Sequence, residues 1–229
     1  STTTEGQRDY LMRHGIPGHR VVVVPNGVPR GVVDALGAES AARNGRPLKV
    51  VYAGLLGFPQ GLEFAVEAIE DLDPKRFELH LYGDGVDRTR LEGRCHERRL
   101  RHVQLHGHVS YDQYLEALRD ADVLYASLRP GDGLSAAMPS KIWEYMAAAK
   151  PVLFAGEGEA PRAIARAAAG ASFAYGDVSE FRRRLESLER NPSLGEEWGS
   201  NGRSWVLGHQ IREDLNECWV DSIEDAFGC

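Results

Sequence analysis

Apolar residues recur along this chain in two distinct periods. Residues 21–24, 49–53, 77–82, 103–106, 123–125 and 152–154 are short runs rich in Val, Leu, Tyr and Phe and bounded by Gly or Pro, which predicts six strands. The runs are continuous rather than alternating, as expected for strands covered by helices on both faces of a sheet. Between them lie segments of helical period, at residues 62–70, 89–99, 111–120, 141–149, 160–168, 178–190 and a last helical region after Pro192. Leu62, Ala65, Val66 and Ile69 fall at i, i+3, i+4, i+7, and Tyr111, Tyr114, Leu115 and Leu118 repeat the spacing. Asp71 and Asn191 end helices ahead of Pro74 and Pro192. Strands alternating with helices predict an α/β domain, a Rossmann-like, mainly parallel sheet with helices on both faces.

The ends of the chain break this rhythm. Residues 7–28 read as a helix, a turn at Gly15–Gly18 and the four-valine strand, closed by the turn signal Pro25-Asn26-Gly27. A polar, Gly- and Ala-rich stretch follows at 31–46. The last segment is a helix with Ile211, Leu215, Trp219, Ile223 and Phe227 on one stripe and acids opposite, so the stripe calls for a partner surface.

Composition narrows the function. With 229 residues the chain is one large domain or one domain with appendages, and 27 Lys+Arg against 34 Asp+Glu give a net charge of −7. No basic field is available for a nucleic-acid backbone, so no nucleic-acid partner is expected. No apolar run approaches the ~18 residues of a membrane span, and residues 1–6 carry no secretory pattern, so the expected location is cytoplasmic. Cys95, Cys218 and Cys229 have no CxxC spacing, which argues against a disulfide framework and a zinc site. Only four residues are lysines, Lys49, Lys75, Lys141 and Lys150, so each invites a question about its role.

In an open parallel sheet, ligands bind beyond the carboxyl ends of the strands. Three successive predicted strand ends carry glycine there: Gly54 and Gly57, Gly83 and Gly85, and Gly107 followed by His108 and Val109. Each alone reads equally as a turn; together they suggest close backbone approach to an anion. Neither GxGxxG nor GxxxxGK[ST] is present. His102, His106 and His108 lack an acidic or Cys partner at ligand spacing, so no metal is expected. The richest stretch is 131–152, where Gly131 and Gly133 lead to Pro139, Ser140, Lys141 and Glu144. Pro139 suits a first helical turn, and Lys141 sits where the helix dipole disfavours a cation unless an anion is bound. An ordinary Lys141–Glu144 surface ion pair, worth ~0.2–0.5 kcal/mol, is the bland alternative. Against it, Ile142, Trp143, Tyr145 and Met146 make this helix apolar, so its charges should face a cleft.

Several pieces occur in a telling order: Val24-Pro25-Asn26-Gly27-Val28, Tyr52-Ala53-Gly54 with Gln60-Gly61-Leu62, Leu81-Tyr82-Gly83-Asp84-Gly85, Gly107, Ala121-Asp122-Val123, the run from Pro139 to Ala147 with Lys150-Pro151-Val152, and Gly176-Asp177. This order resembles the donor-binding C-terminal domain of retaining glycosyltransferases of the GT-B fold, group 1 or family 4 type, which build bacterial polysaccharides and glycolipids from nucleotide sugars. The Gln-Gly-Leu and Pro-Ser-Lys variants look most like the fucosamine and fucose transferases of O-antigen and colanic acid synthesis. The resemblance implies one half of a GT-B enzyme: residues 1–28 ending an acceptor domain and linker, 29–208 binding the donor, and 209–229 returning to the acceptor domain. It implies that Glu144 bonds the donor ribose, that Ser140 and a catalytic Lys141 face the diphosphate and sugar, that Gly54 begins the loop against the diphosphate, and that Gly107, His108 and Val109 read the base. The strand-end residues Gly57, Gly83 and Gly85, and Gly133 in the approach to the helix, join the same donor site.

Two positions depart from the family pattern. A glutamate eight residues before Glu144 is replaced by Ala136, and the usual Arg and Lys of the first loop fall on Leu55 and Gln60. Lys141 is therefore expected to supply the phosphate charge, with sugar contacts from backbone or from residues 131–135. The expected donor substrate is a nucleotide sugar, with no metal or other cofactor, and the expected partner is an acceptor domain in cis or on a separate chain. A homodimer and peripheral membrane association of the whole enzyme stay open. So do a non-catalytic nucleotide-sugar-binding module and a nucleotide-sugar epimerase of similar fold.

Overall fold

The computed structural model describes residues 1–37, 43, 45–131 and 133–227, with side chains of the last helix described through Val220 except Cys218. Most of the 38–44 part of the polar stretch, Asp132, Cys218, Cys229, and the stripe side chains Ile223 and Phe227 thus lie outside the described residues. Six strands, β1 Leu48–Ala53, β2 Phe77–Tyr82, β3 Val103–Gly107, β4 Val123–Ser127, β5 Val152–Ala155 and β6 Gly170–Phe173, form one sheet in the order β3-β2-β1-β4-β5-β6. Every pairing is parallel. The helices are α1 Glu5–Arg13, α2 Arg30–Leu36, α3 Glu63–Glu70, α4 Arg88–Glu97, α5 Tyr111–Asp120, α6 Lys141–Ala147, α7 Glu159–Arg166, α8 Val178–Arg190, α9 Pro192–His209 and α10 Arg212–Phe227.

The continuous apolar runs fill two cores because successive side chains of a strand point to opposite faces. Val51 and Ala53 of β1, Leu124 and Ala126 of β4 and Phe154 of β5 pack with α2, α5, α6 and α7. Leu48, Val50 and Tyr52, with Val123, Tyr125 and Leu153, pack with α3, α4 and α8. The Rossmann-like α/β architecture with helices on both faces is therefore what the periodicity predicted.

The chain runs outward from β1 through β2 to β3, then returns to β4 on the other side of β1, so the sheet changes direction between β1 and β4. Crevices form at such a switch point. Close approach of the strand ends here depends on glycine. Gly83, at φ +125°, donates its N–H to the Gly107 carbonyl at 2.7 Å, and a Cβ on it would lie 1.9 Å from the Gly54 carbonyl oxygen.

Several elements differ from expectation. The four-valine run is not a strand: it makes a single bridge, Thr2 to Val23, because no sheet edge lies beside it among the described residues. Strand β6 has no β-branched residue to announce it. It forms because β5 offers a free edge, and Gly170 lets it approach: a Cβ there would meet the Val152 carbonyl oxygen at 1.8 Å. Helix α2 arises within the Gly-rich stretch by burying Val33 and Leu36. The region after Pro192 splits into α9 and α10, and Gly199 of α9 rests on the Ala149 carbonyl, where a Cβ would come within 2.1 Å. Of the C-terminal stripe, Ile211 is buried and bridges Val28, whereas Trp219 is exposed.

Two glycines should respond oppositely to the same substitution. Gly83→Ala should destabilise by about 2–4 kcal/mol, from overpacking and a left-handed backbone. Gly93→Ala, on the exposed side of α4 with nothing within 4 Å, should stabilise by about 0.5–1 kcal/mol. Urea unfolding of the two variants checks this, and equal midpoints would contradict the close packing of Gly83 on the Gly54 carbonyl.

Candidate functional site between β1 and β4

Helix α6 leads from β4 to β5, and its first turn lies across the end of β1. Tyr145 makes the joint: its hydroxyl accepts the Ala53 N–H at 2.8 Å and donates to the Ala53 carbonyl at 3.1 Å. Ile142, Trp143, Tyr145, Met146 and Ala147 are buried, so the helix is held by its apolar face. The helix starts at Lys141 as the sequence suggested and ends two residues earlier, at Ala147; Ser140 is the exposed N-cap, so Pro139 lies ahead of the first turn rather than in it.

Lys141 does not pair with Glu144. Its Nζ passes over Gly54, donates to the Tyr52 hydroxyl at 2.7 Å and lies 3.9 Å from the centre of the Tyr52 ring. A Cβ on Gly54 would stand 2.4 Å from that Nζ, so the glycine leaves the room the ammonium uses. Tyr52 in turn donates to the Leu55 carbonyl at 2.6 Å, fixing the turn of the first loop. Although the residue keeps partial exposure, burial of the ammonium pulls its pKa down to about 7, and the Glu144 charge only partly restores it. Glu144 is held by the Tyr114 hydroxyl, which donates to its Oε2; its other oxygen makes no hydrogen bond among the described residues. Burial raises the Tyr114 pKa, with Tyr145 and Glu144 adding to it, so the phenol remains a donor. The surface ion-pair reading is thus replaced by two charges held on separate tyrosines.

The other predicted residues fall into three places. Gly54, Gly57, Gly83, Gly85 and Gly107 come together at the ends of β1, β2 and β3. The Leu56 N–H donates to the Asp84 carbonyl at 2.8 Å, and a Cβ on Gly85 would meet the Leu56 carbonyl oxygen at 2.3 Å. Exposed His108 and half-buried Val109 line a cavity of about 370 Å³ with Tyr82, His106, Gln113 and Glu116. Gly133 is set apart from both groups, near α1, where a Cβ on it would lie 4.0 Å from Tyr10 Cζ. His102 is buried against the Ile69 carbonyl, at 3.1 Å, apart from the His106–His80 contact at 2.9 Å. Among the described residues no cluster of His, Cys, Asp and Glu has the arrangement to hold a metal ion.

Sequence reasoning missed the tyrosines that hold the charges, since Tyr52, Tyr114 and Tyr145 read there as apolar positions. It also missed two arginines. Arg129 reaches back from the end of β4 to pair with Glu63, with its guanidinium 4.3 Å from the Phe58 ring centre. Arg88 stands over Gly107, where a Cβ would lie 2.9 Å from its Nη1, and pairs with Glu92 at 2.8 Å. The i, i+4 spacing of Arg88 and Glu92 is visible in the sequence, but nothing there marks either arginine as lying at the strand ends.

Residues 38–205 match the family model described as glycosyl transferases group 1. The chain belongs to that family. It is 24% identical over 210 residues to the uncharacterized glycosyltransferase MJ1178 of Methanocaldococcus jannaschii, covering 87% of this chain and 55% of that protein. It is 26% identical over 155 residues to an Escherichia coli protein bearing the name colanic acid biosynthesis glycosyl transferase WcaI, covering 64% and 38% respectively. The chain therefore spans about half the length, or less, of these curated relatives. The crystal structure of Anabaena HepE in complex with UDP superimposes with a TM-score of 0.83 at 14% identity, covering 98% of this chain and 63% of that one. That likeness shows the fold.

Two measurements test the joint and the buried cation. Tyr145→Phe should destabilise by about 2–4 kcal/mol, because both peptide groups of Ala53 lose their buried partner; a melt unchanged from the parent would contradict it. Lys141 binds fewer protons in the folded than in the unfolded state between about pH 7 and its ordinary 10.5. Stability should therefore rise with pH through that window, and the charge should oppose folding most fully below it. Urea unfolding at pH 6 to 9 should show this slope in the parent and lose it in Lys141→Met, whereas parallel curves would contradict the depressed pKa.

Proposed function

We propose that this chain is the donor-binding half of a nucleotide-sugar-dependent glycosyltransferase, which transfers a hexose-type sugar with retention. The carrying observation is Lys141, a buried ammonium at a helix start, bonded to a phenol rather than a carboxylate. Such a group is left wanting an anion, and a diphosphate placed against it would also meet the glycine strand ends and the loop from Gly54 to Gly57. Glu144, one turn further along α6, keeps an oxygen open for a ribose hydroxyl. His108 and Val109 then border the base, on the far side of the strand ends.

On this reading, the negative charge that grows on the departing diphosphate meets donors already in place, so the barrier falls without reorganisation. Anion binding stabilises the protonated form of Lys141, and the charge that opposed folding becomes a binding group. Positive charge is supplied by the chain itself, which favours donor binding without a divalent ion. An acceptor domain, in cis or on a separate chain, would complete the reaction cleft. The family membership and the UDP complex of the HepE neighbour support a nucleotide-sugar donor.

Calorimetric titration with UDP and GDP, each with and without a chelator, tests the reading. At least one should bind in the presence of chelator. Glu144→Ala should weaken it by about 1.5–3 kcal/mol at a temperature well below the variant's melt, which falls because the Tyr114 hydroxyl loses its acceptor, and Lys141→Ala should weaken the diphosphate more than the free nucleoside. Strict dependence on magnesium or manganese, or equal losses for nucleoside and diphosphate in Lys141→Ala, would contradict it.

A further inference from the structure

One hydroxyl near the start of the chain holds two remote segments together. Thr4 Oγ1 accepts the Gln7 N–H at 3.0 Å, capping α1, and donates to the Ala136 carbonyl at 2.6 Å, 132 residues further on. Because a carbonyl oxygen can only accept, the hydroxyl proton is directed at Ala136. The segment that carries Thr4 is itself anchored, since Thr2 N–H bonds the Val22 carbonyl at 2.9 Å and Val24 N–H bonds the Thr2 carbonyl at 2.7 Å. Helix α1 comes close to this segment at Gly6, where a Cβ would lie 3.5 Å from the Ala136 Cα, in van der Waals contact, and 2.9 Å from the mobile end of the Glu159 side chain. Tyr10, further along α1, stands near Gly133, where a Cβ would lie 4.0 Å from Tyr10 Cζ. From the opposite side, the Glu159 N–H bonds the Ser135 carbonyl at 3.1 Å, and a Cβ on Gly158 would come 1.7 Å from that oxygen. Residues 133–137 are therefore held between α1 and the start of α7, directly ahead of Ser140 and Lys141.

If ribose lies at Glu144 and diphosphate at Lys141, the sugar end of the donor continues past the start of α6, toward residues 133–137. Ala136 has no side chain able to bond a sugar, so recognition there depends on how the backbone is set. Resting on the donor-site reading, we propose that Thr4 is a positioning residue for the sugar end of the donor. It pins the Ala136 carbonyl and thereby fixes the loop whose peptide groups meet the sugar.

Three variants separate this role from helix capping. Thr4→Asp keeps an acceptor for the Gln7 N–H, since Asp is a good N-cap, but has no proton for Ala136; Thr4→Val loses both bonds; Thr4→Ser keeps both. Amide exchange should stay at the parental level across α1 in Thr4→Asp, yet quicken tenfold or more across residues 133–137, with Thr4→Ser like the parent and Thr4→Val fast in both places. Calorimetry with UDP and UDP-glucose, and with GDP and GDP-mannose, should show Thr4→Asp weakening the better-bound sugar nucleotide 5- to 20-fold while its free nucleoside diphosphate changes less than twofold. Parental exchange at 133–137 in Thr4→Asp, or equal effects on sugar nucleotide and nucleoside diphosphate, would overturn the proposal. A parent chain that binds none of the four ligands would reject the donor-site reading instead, and the exchange result would still decide whether Thr4 holds the loop.

Discussion

Where the sheet changes direction, β1 outruns its neighbour: it pairs with β4 only at Val50 and Val51, and Ala53 has no strand on that side. A buried peptide group without a partner costs ~1–3 kcal/mol, and both the N–H and the carbonyl of Ala53 are at stake. The Tyr145 hydroxyl satisfies the two at once because a phenol both donates and accepts. Since Tyr145 stands on α6, the same bonds fix the start of that helix over the end of β1. The positions of Lys141 and Glu144, one turn before and one residue before Tyr145 on that helix, follow from that joint.

The chemistry of the crevice comes from placing a cation where water hardly reaches. Burial disfavours the charged form of Lys141, while the Tyr52 hydroxyl and ring partly offset the lost hydration. No carboxylate neutralises it among the described residues, because Glu144 is turned to Tyr114. The helix dipole also opposes a cation at this end. Each of these terms is relieved by an anion, which is why the arrangement reads as a binding site rather than as a contribution to stability.

Economy of polar groups recurs throughout the region. Tyr52 accepts from Lys141 and donates to Leu55, and Thr4 accepts from Gln7 and donates to Ala136. Each hydroxyl uses both capacities to join segments far apart in the chain, and beside the first junction a glycine makes room, since Gly54 clears the path of Lys141.

Read alone, the sequence determined the layered α/β architecture, five of the six sheet strands, both ends of α5 and α8, and the strand-end glycines, because burial on two faces and helical period leave local marks. It also singled out Lys141 and Glu144, since two charges on an otherwise apolar helix are conspicuous. It misread the valine run as a strand and passed over β6, because β propensity does not say whether a neighbour is present: the valines met only Thr2, while the unremarkable Gly170–Phe173 met the open edge of β5. Only the tertiary structure decided that Lys141 and Glu144 part company for Tyr52 and Tyr114, that Arg129 turns back to Glu63, and that Thr4 bonds Ala136. Those choices depend on groups between 30 and 132 residues apart, and a hydroxyl in a sequence carries no sign of which distant partner the fold will bring to it.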